Sequence, residues 1–143
     1  MRAAHGYLMR NRTFFVWEGV TQYLTEEGVR ATFDWLAEAA TGGLLSFTYV
    51  RKSFLTGQQL YGWQSGYKRF VETGTWQFGL EPEACPALLR NCGWRLIEDV
   101  AYEELAHEYI RPTGRSLAST QVERIVYAEK VDPPNQRIVP PEF

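Results

Sequence analysis

The sequence is short of several things at once: two cysteines and two histidines in 143 residues, no excess of either charge, and no long apolar run. Two cysteines are too few for a secreted disulfide scaffold. Cys85 and Cys92 sit seven positions apart on one predicted helix, a rise of about 10.5 Å. That exceeds the usual span between disulfide-linked Cα atoms, so both are expected as thiols. His5 and His107 are isolated and far from either cysteine, so zinc spacing and a Cys/His nucleophile pair are both unsupported, and no metal is expected. Fifteen Lys and Arg against seventeen Asp and Glu give a formal net charge of −2, and nucleic-acid binding driven by counter-ion release has no support without a basic footprint. No stretch approaches a membrane span, and Met1 to Gly6 has no apolar segment like a signal peptide, so the expected compartment is the cytoplasm, with no membrane partner. The glycines form no G-x-G-x-x-G or phosphate loop; Gly62 and Gly66, spaced G-x-x-x-G, resemble neither.

What is present is an ordinary globular composition, 45% hydrophobic, 22% charged and 15% aromatic. A chain of this size buries roughly 68 to 70% of its unfolded surface and needs no staple. There is no internal repeat. Thr13-Phe14-Phe15-Val16-Trp17 reads as a strand buried on both faces of a parallel sheet. Thr25 is a good N-cap, Glu26 and Glu27 suit a first helical turn, and Val29, Phe33, Leu36, Ala37 and Ala40 recur at helical spacing until Gly42-Gly43. Leu44 to Val50 is a second strand, completing a βαβ unit whose crossover should be right-handed. Further helices are predicted over 60–71, with an aromatic face, over 83–91, opened by Pro82 and closed at Gly93, and over 102–109. Strands are predicted over 94–100 and 122–131. Residues 1–131 are expected to form one domain, and 132–143, with four prolines, an extended tail.

In an open parallel sheet, ligands bind beyond the carboxyl ends of the strands, where Glu18 and the segment Tyr49 to Arg51 lie. A carboxylate after a buried strand can accept hydrogen bonds from a ligand, with Gly19 allowing close backbone approach; from spacing alone, bonding of Glu18 to amides of its own turn is the better supported role. Tyr61, Trp63, Tyr67, Phe70, Trp76 and Phe78 could line an apolar pocket, although core packing accounts for most such residues. Arg111 and Arg115 offer forked donors for a carboxylate, though loop arginines are more often simply solvated.

Read together, Phe15-Val16-Trp17-Glu18-Gly19-Val20-Thr21-Gln22-Tyr23-Leu24-Thr25-Glu26-Glu27 resembles the F-V-W-E-G-V-x-x-Y-L-T-x-E segment of the leucine carboxyl methyltransferase-like family of S-adenosylmethionine-dependent methyltransferases. Trp76-Gln77-Phe78-Gly79-Leu80, Gly93-Trp94-Arg95-Leu96 with Glu98-Asp99, Arg111-Pro112 with Gly114-Arg115, and Glu123-Arg124-Ile125-Val126 follow the family's C-terminal half in order. One departure is Gly74-Thr75-Trp76, where the family often has Gly-Glu-Pro-Trp.

The resemblance implies an α/β fold, the C-terminal half of a class I methyltransferase (Rossmann-like) sheet. The chain would supply strands four to seven, mostly parallel, the last inserted antiparallel beside the fifth. It implies S-adenosylmethionine as cofactor, with Glu18, Gly19 and Tyr23 on the donor side and Tyr49, Arg51, Arg111 and Arg115 bordering a small-molecule or carboxylate acceptor. No catalytic side chain is assigned, because such an enzyme works mainly by orientation and electrostatics. The first strand and its glycine-rich turn would lie in a separate N-terminal half, whose absence should expose one side of the strand at Thr13 to Trp17 and favour self-association or a partner. The other expectation is a non-catalytic remnant or interaction module without donor binding.

Overall fold

The computed structural model describes residues 12–39 and 42–131. Four strands, β1 (Phe14–Trp17), β2 (Leu44–Val50), β3 (Trp94–Ala101) and β4 (Glu123–Lys130), form one sheet in the order β1-β2-β4-β3. β1 and β2 pair in parallel, and β4 runs antiparallel to both of its neighbours, β2 and β3. This is the expected half-sheet, with its last strand inserted antiparallel.

Between β1 and β2 runs α1 (Glu26–Ala39). The Thr25 hydroxyl accepts the Gly28 amide at 3.1 Å, filling one of the donors that a helix start leaves open. Its apolar stripe, Val29, Phe33 and Leu36, is buried against Leu45, Phe47 and Trp94. The Trp94 indole donates to the Phe33 carbonyl at 3.1 Å, which satisfies a buried polar group in that core. The helix predicted over 83–91 is a tight turn, Pro82–Ala84, followed by α4 (Cys85–Asn91). Both cysteines are free and buried, Cys85 opening α4 and Cys92 just past its end. Ala40, the tail from Asp132 and His5 lie outside the described residues.

Three local expectations change. The apolar run of β1 is not buried on both faces: Phe14 is 55% and Val16 64% exposed, because its side chains alternate between faces and only Phe15 and Trp17 pack on the core. The helix expected over 60–71 starts later, as α3 (Gln64–Gly66) widening into a looser turn over Tyr67–Val71. Positive φ angles at Tyr61 and Gly62 keep the residues before it out of helix. A short α2 (Lys52–Leu55), which no periodicity marked, follows β2 directly. Similarly, the helix over 102–109 is α5 (Tyr102–Leu105) passing into a wide turn over Ala106–Ile110. Apart from the main core, Val50, Phe54 and Val122 anchor a second, aromatic cluster with Trp63, Tyr67 and Trp76.

Candidate functional site

The site begins where β1 ends. Gly19 takes a φ of +71°, turning the chain in a way that a side chain would resist, and its amide donates to the Thr48 hydroxyl at 2.8 Å. The Thr21 hydroxyl in turn donates to the Thr48 carbonyl at 2.7 Å. One threonine of β2 thus pins the whole turn, leaving Glu18 exposed. Glu18 borders a hollow of about 160 Å³ with Thr48, Tyr102, Thr120, Glu123 and Arg124.

A second cleft, of about 400 Å³, adjoins it, sharing Thr120 and Glu123 with the first. Its walls include Gln22, Trp63, Phe70 and Trp76. Phe70 and Trp76 stack with ring centres 4.6 Å apart and planes 8° from parallel. The Gln22 carbonyl accepts amides from Gln77 at 2.7 Å and Phe78 at 3.3 Å, which holds the two wall segments together. Among the described residues, the Gln22 Oε1 and Trp76 Nε1 atoms are buried without a hydrogen-bond partner. Sequence reasoning overlooked Gln22, Thr48 and Glu123; Gln22 falls at a variable position of the motif, so nothing local marked it. A larger depression of about 460 Å³ lies beside Glu26, Arg30 and Lys52. It shares no lining residue with the site, and Arg30 is already engaged by Glu26 there at 2.9 Å.

The expected site residues do not all converge. Glu18 and Gly19 lie together at the hollow, and Tyr23, 44% exposed, meets Trp76 edge to face at 6.3 Å beside the cleft. Tyr49 is fully buried, and its hydroxyl donates to Asp99 Oδ2 at 2.7 Å, so it belongs to the core rather than to an open acceptor face. Arg124 completes that cluster, its Nε donating to Asp99 Oδ1 at 2.7 Å. Burial and the Asp99 hydrogen bond both hold the Tyr49 phenol protonated far above its ordinary range. Burial likewise pushes the Cys85 thiol up to about 12. Arg51 donates to the Gln121 carbonyl at 3.1 Å and its guanidinium lies 5.4 Å from the Tyr61 ring centre, which ties the 119–123 segment to the end of β2. Arg111 pairs with Glu103 at 2.9 Å on an open surface, and Arg115 is exposed beyond it. Neither arginine lines the hollow or the cleft.

No family model and no curated protein matches this sequence. Solved structures do match. An S-adenosylmethionine-dependent methyltransferase from Mesorhizobium loti superposes with a TM-score of 0.53 at 13% identity, over 86% of this chain and 65% of that one. A possible exported protein from Bordetella parapertussis gives 0.51 at 13% identity, over 88% of this chain and 42% of that one. Magnesium protoporphyrin IX methyltransferase from Synechocystis PCC 6803, solved with bound SAH, gives 0.50 at 14% identity, over 86% and 46%. The chain therefore has part of the Rossmann-like fold found in those methyltransferases, and spans between 42% and 65% of the length of these three structures. No helix among the described residues is long and apolar enough to cross a membrane, and no group of His, Cys, Asp and Glu among them could hold a metal ion.

Proposed function

We propose that the chain is the C-terminal part of an S-adenosylmethionine-dependent O-methyltransferase of the leucine carboxyl methyltransferase-like kind, acting on a small-molecule or carboxylate acceptor together with an N-terminal half. The observation that carries the reading is the turn after β1, where Thr48 holds Gly19 and Thr21 so that the Glu18 carboxylate borders a hollow at the carboxyl end of the sheet. Glu18 and Glu123 both border it, and Arg124 in the same lining is already paired with Asp99, which favours a cationic ligand by Coulomb attraction. The hollow, at about 160 Å³, is smaller than the roughly 300 to 1,000 Å³ of pockets that enclose a small molecule. The residues present therefore fit one wall of a donor site. Glu18 and Gly19 would form that wall, with Tyr23 beside it. The donor, when bound, supplies a methyl group on a sulfonium.

For the acceptor side, Arg51 acts through the segment it fixes at Gln121, next to Thr120 of both hollows. The exposed edge of β1, with Phe14 and Val16 facing solvent, suits the N-terminal half or a second copy of the chain as partner. The small hollow also favours the second reading, a non-catalytic interaction module. Calorimetric titration of S-adenosylmethionine into the 143-residue chain separates the two. Binding that weakens at least about tenfold in Glu18→Ala, the scale of one charged contact, is the expected result for a donor wall. No detectable heat from a folded chain overturns donor binding by this chain alone and leaves the interaction module.

A further inference from the structure

The second cleft has a chemistry of its own. Its walls are flat and aromatic: besides the Phe70–Trp76 stack, Trp63 lies 6.0 Å from Trp76 and 5.9 Å from Phe70, ring centre to ring centre. Surfaces of this kind take up a planar ring by stacking or edge contact. At about 400 Å³ the cleft, unlike the Glu18 hollow, falls within the size range of small-molecule sites. Two residues of its lining, Gln22 and Trp76, each carry a buried polar atom, Oε1 and Nε1, without a hydrogen-bond partner among the described residues. Gln22 is only 5% exposed, so bulk water does not reach it. Buried groups of this kind are rare in folded proteins and call for a specific explanation.

We propose that this cleft binds a planar aromatic ligand carrying a hydroxyl group, a phenol or naphthol in chemical class. The indole N–H can only donate, and the amide oxygen can only accept. A hydroxyl meets both, giving its hydrogen to Gln22 and taking one from Trp76. It also fits with the Gln22 amide turned end for end, since it can equally accept from the NH₂ group. A carboxylate accepts from Trp76 and meets Arg69 in the same lining, but it has no hydrogen to give to Gln22 Oε1 and lies against Glu123; an ammonium cannot accept from the indole at all. Both polar atoms are covered from water, so binding requires the Gln22 amide to turn toward the cleft. Through Thr120 and Glu123 the cleft adjoins the Glu18 hollow. Where the methyltransferase reading holds, and only on that reading, the bound hydroxyl oxygen is the methyl acceptor: its bond to the methyl carbon forms as the donor's sulfonium–methyl bond breaks to leave a neutral thioether, and the hydroxyl proton is lost to solvent.

The test needs no methyl donor, so its outcome is separate from that of the S-adenosylmethionine titration. Three probes, 2-naphthol, 2-methoxynaphthalene and naphthalene, are titrated into the 143-residue chain. Tryptophan fluorescence gives affinity, and the Trp76 indole N–H resonance, assigned with Trp76→Phe, gives location. The expected order is naphthol tightest, the methyl ether intermediate because it accepts but cannot donate, and naphthalene at least about tenfold weaker than naphthol. The Trp76 resonance moves with naphthol and the ether. Gln22→Met brings naphthol down to the level of the ether, and Trp76→Phe weakens both. Equal affinity for the three probes, no binding, or a naphthol affinity unchanged in both variants overturns the proposal. Should a variant fail to fold by circular dichroism, the probe order and the Trp76 resonance of the unaltered chain decide the matter.

Discussion

Two of the places where the described residues bury polar side chains are built on opposite terms. At the first, Tyr49, Asp99 and Arg124 satisfy one another: the Asp99 carboxylate takes the Tyr49 hydroxyl on one oxygen and the Arg124 Nε on the other, and Arg124 also reaches the Asp99 carbonyl at 3.0 Å. At the second, Gln22 and Trp76 each keep a buried polar atom with no partner. The first cluster joins three neighbouring strands, β2, β4 and β3, and holds the sheet together. The second sits between the turn at Thr21–Tyr23 and the segment at Trp76, which backbone hydrogen bonds of the Gln22 carbonyl join. The first is a closed network, and the second leaves a donor and an acceptor unpaired.

The sharpest way to break this contrast is Asp99→Ala. The side chains of Asp99 and Arg124 are each 10% exposed, so the variant leaves an uncompensated buried guanidinium and an unpaired Tyr49 hydroxyl. A loss of about 3 to 5 kcal/mol is expected, read by urea unfolding. A loss below about 1 kcal/mol would mean that the cluster is no more structural than a surface pair.

Raising the pH tests the same cluster more gently. The folded Tyr49 phenol and Cys85 thiol hold their protons above their ordinary ranges, chiefly through burial. In the unfolded chain the thiol releases its proton near about 8.5 and the phenol near about 10. Above those values the unfolded state binds fewer protons, and stability falls by roughly 1.4 kcal/mol per pH unit for each group. For Cys85 the loss runs from about pH 8.5 up to about 12. Unfolding midpoints measured from pH 7 to 11 should show full stability at the low end and a decline that steepens past about 10. Cys85→Ala should lessen the early part of that decline, the Cys92 thiol being raised by burial as well, and Tyr49→Phe should lessen the later part.

The smallest effect is expected at the other site. Gln22→Met replaces an amide whose oxygen is unsatisfied by an apolar chain of similar length, so stability should stay level or rise by up to about 1 kcal/mol in thermal unfolding. A loss comparable to that of Asp99→Ala would show that Gln22 is structural and erase the difference between the two regions.

How much of this was legible in the sequence follows the same division. The Phe14 to Trp17 run, the Thr25 cap, the stripe of Val29, Phe33 and Leu36, and the strands at 44 and 94 were readable, because each is encoded by a local period or cap. The segment from Leu60 to Val71 was not. Its aromatics pack on Phe54 from several directions, and positive φ angles at Tyr61 and Gly62 interrupt the helix that their spacing suggested. Glu18 could be located at a strand end; Tyr49 stood at another strand end and was expected to border the acceptor side. Its burial depends on Asp99, fifty residues away in sequence, which no local pattern reports.

The sequence by itself determined the alternation of strands and helices, the turn at Gly19 and the antiparallel place of the last strand through its family resemblance, since local preference and motif order carry that information. Only the tertiary structure decided which polar groups are partnered. Tyr49 found Asp99 and Arg124 across three strands, while Gln22 and Trp76 came together without satisfying each other, because hydrogen-bond partners are set by which segments meet in space.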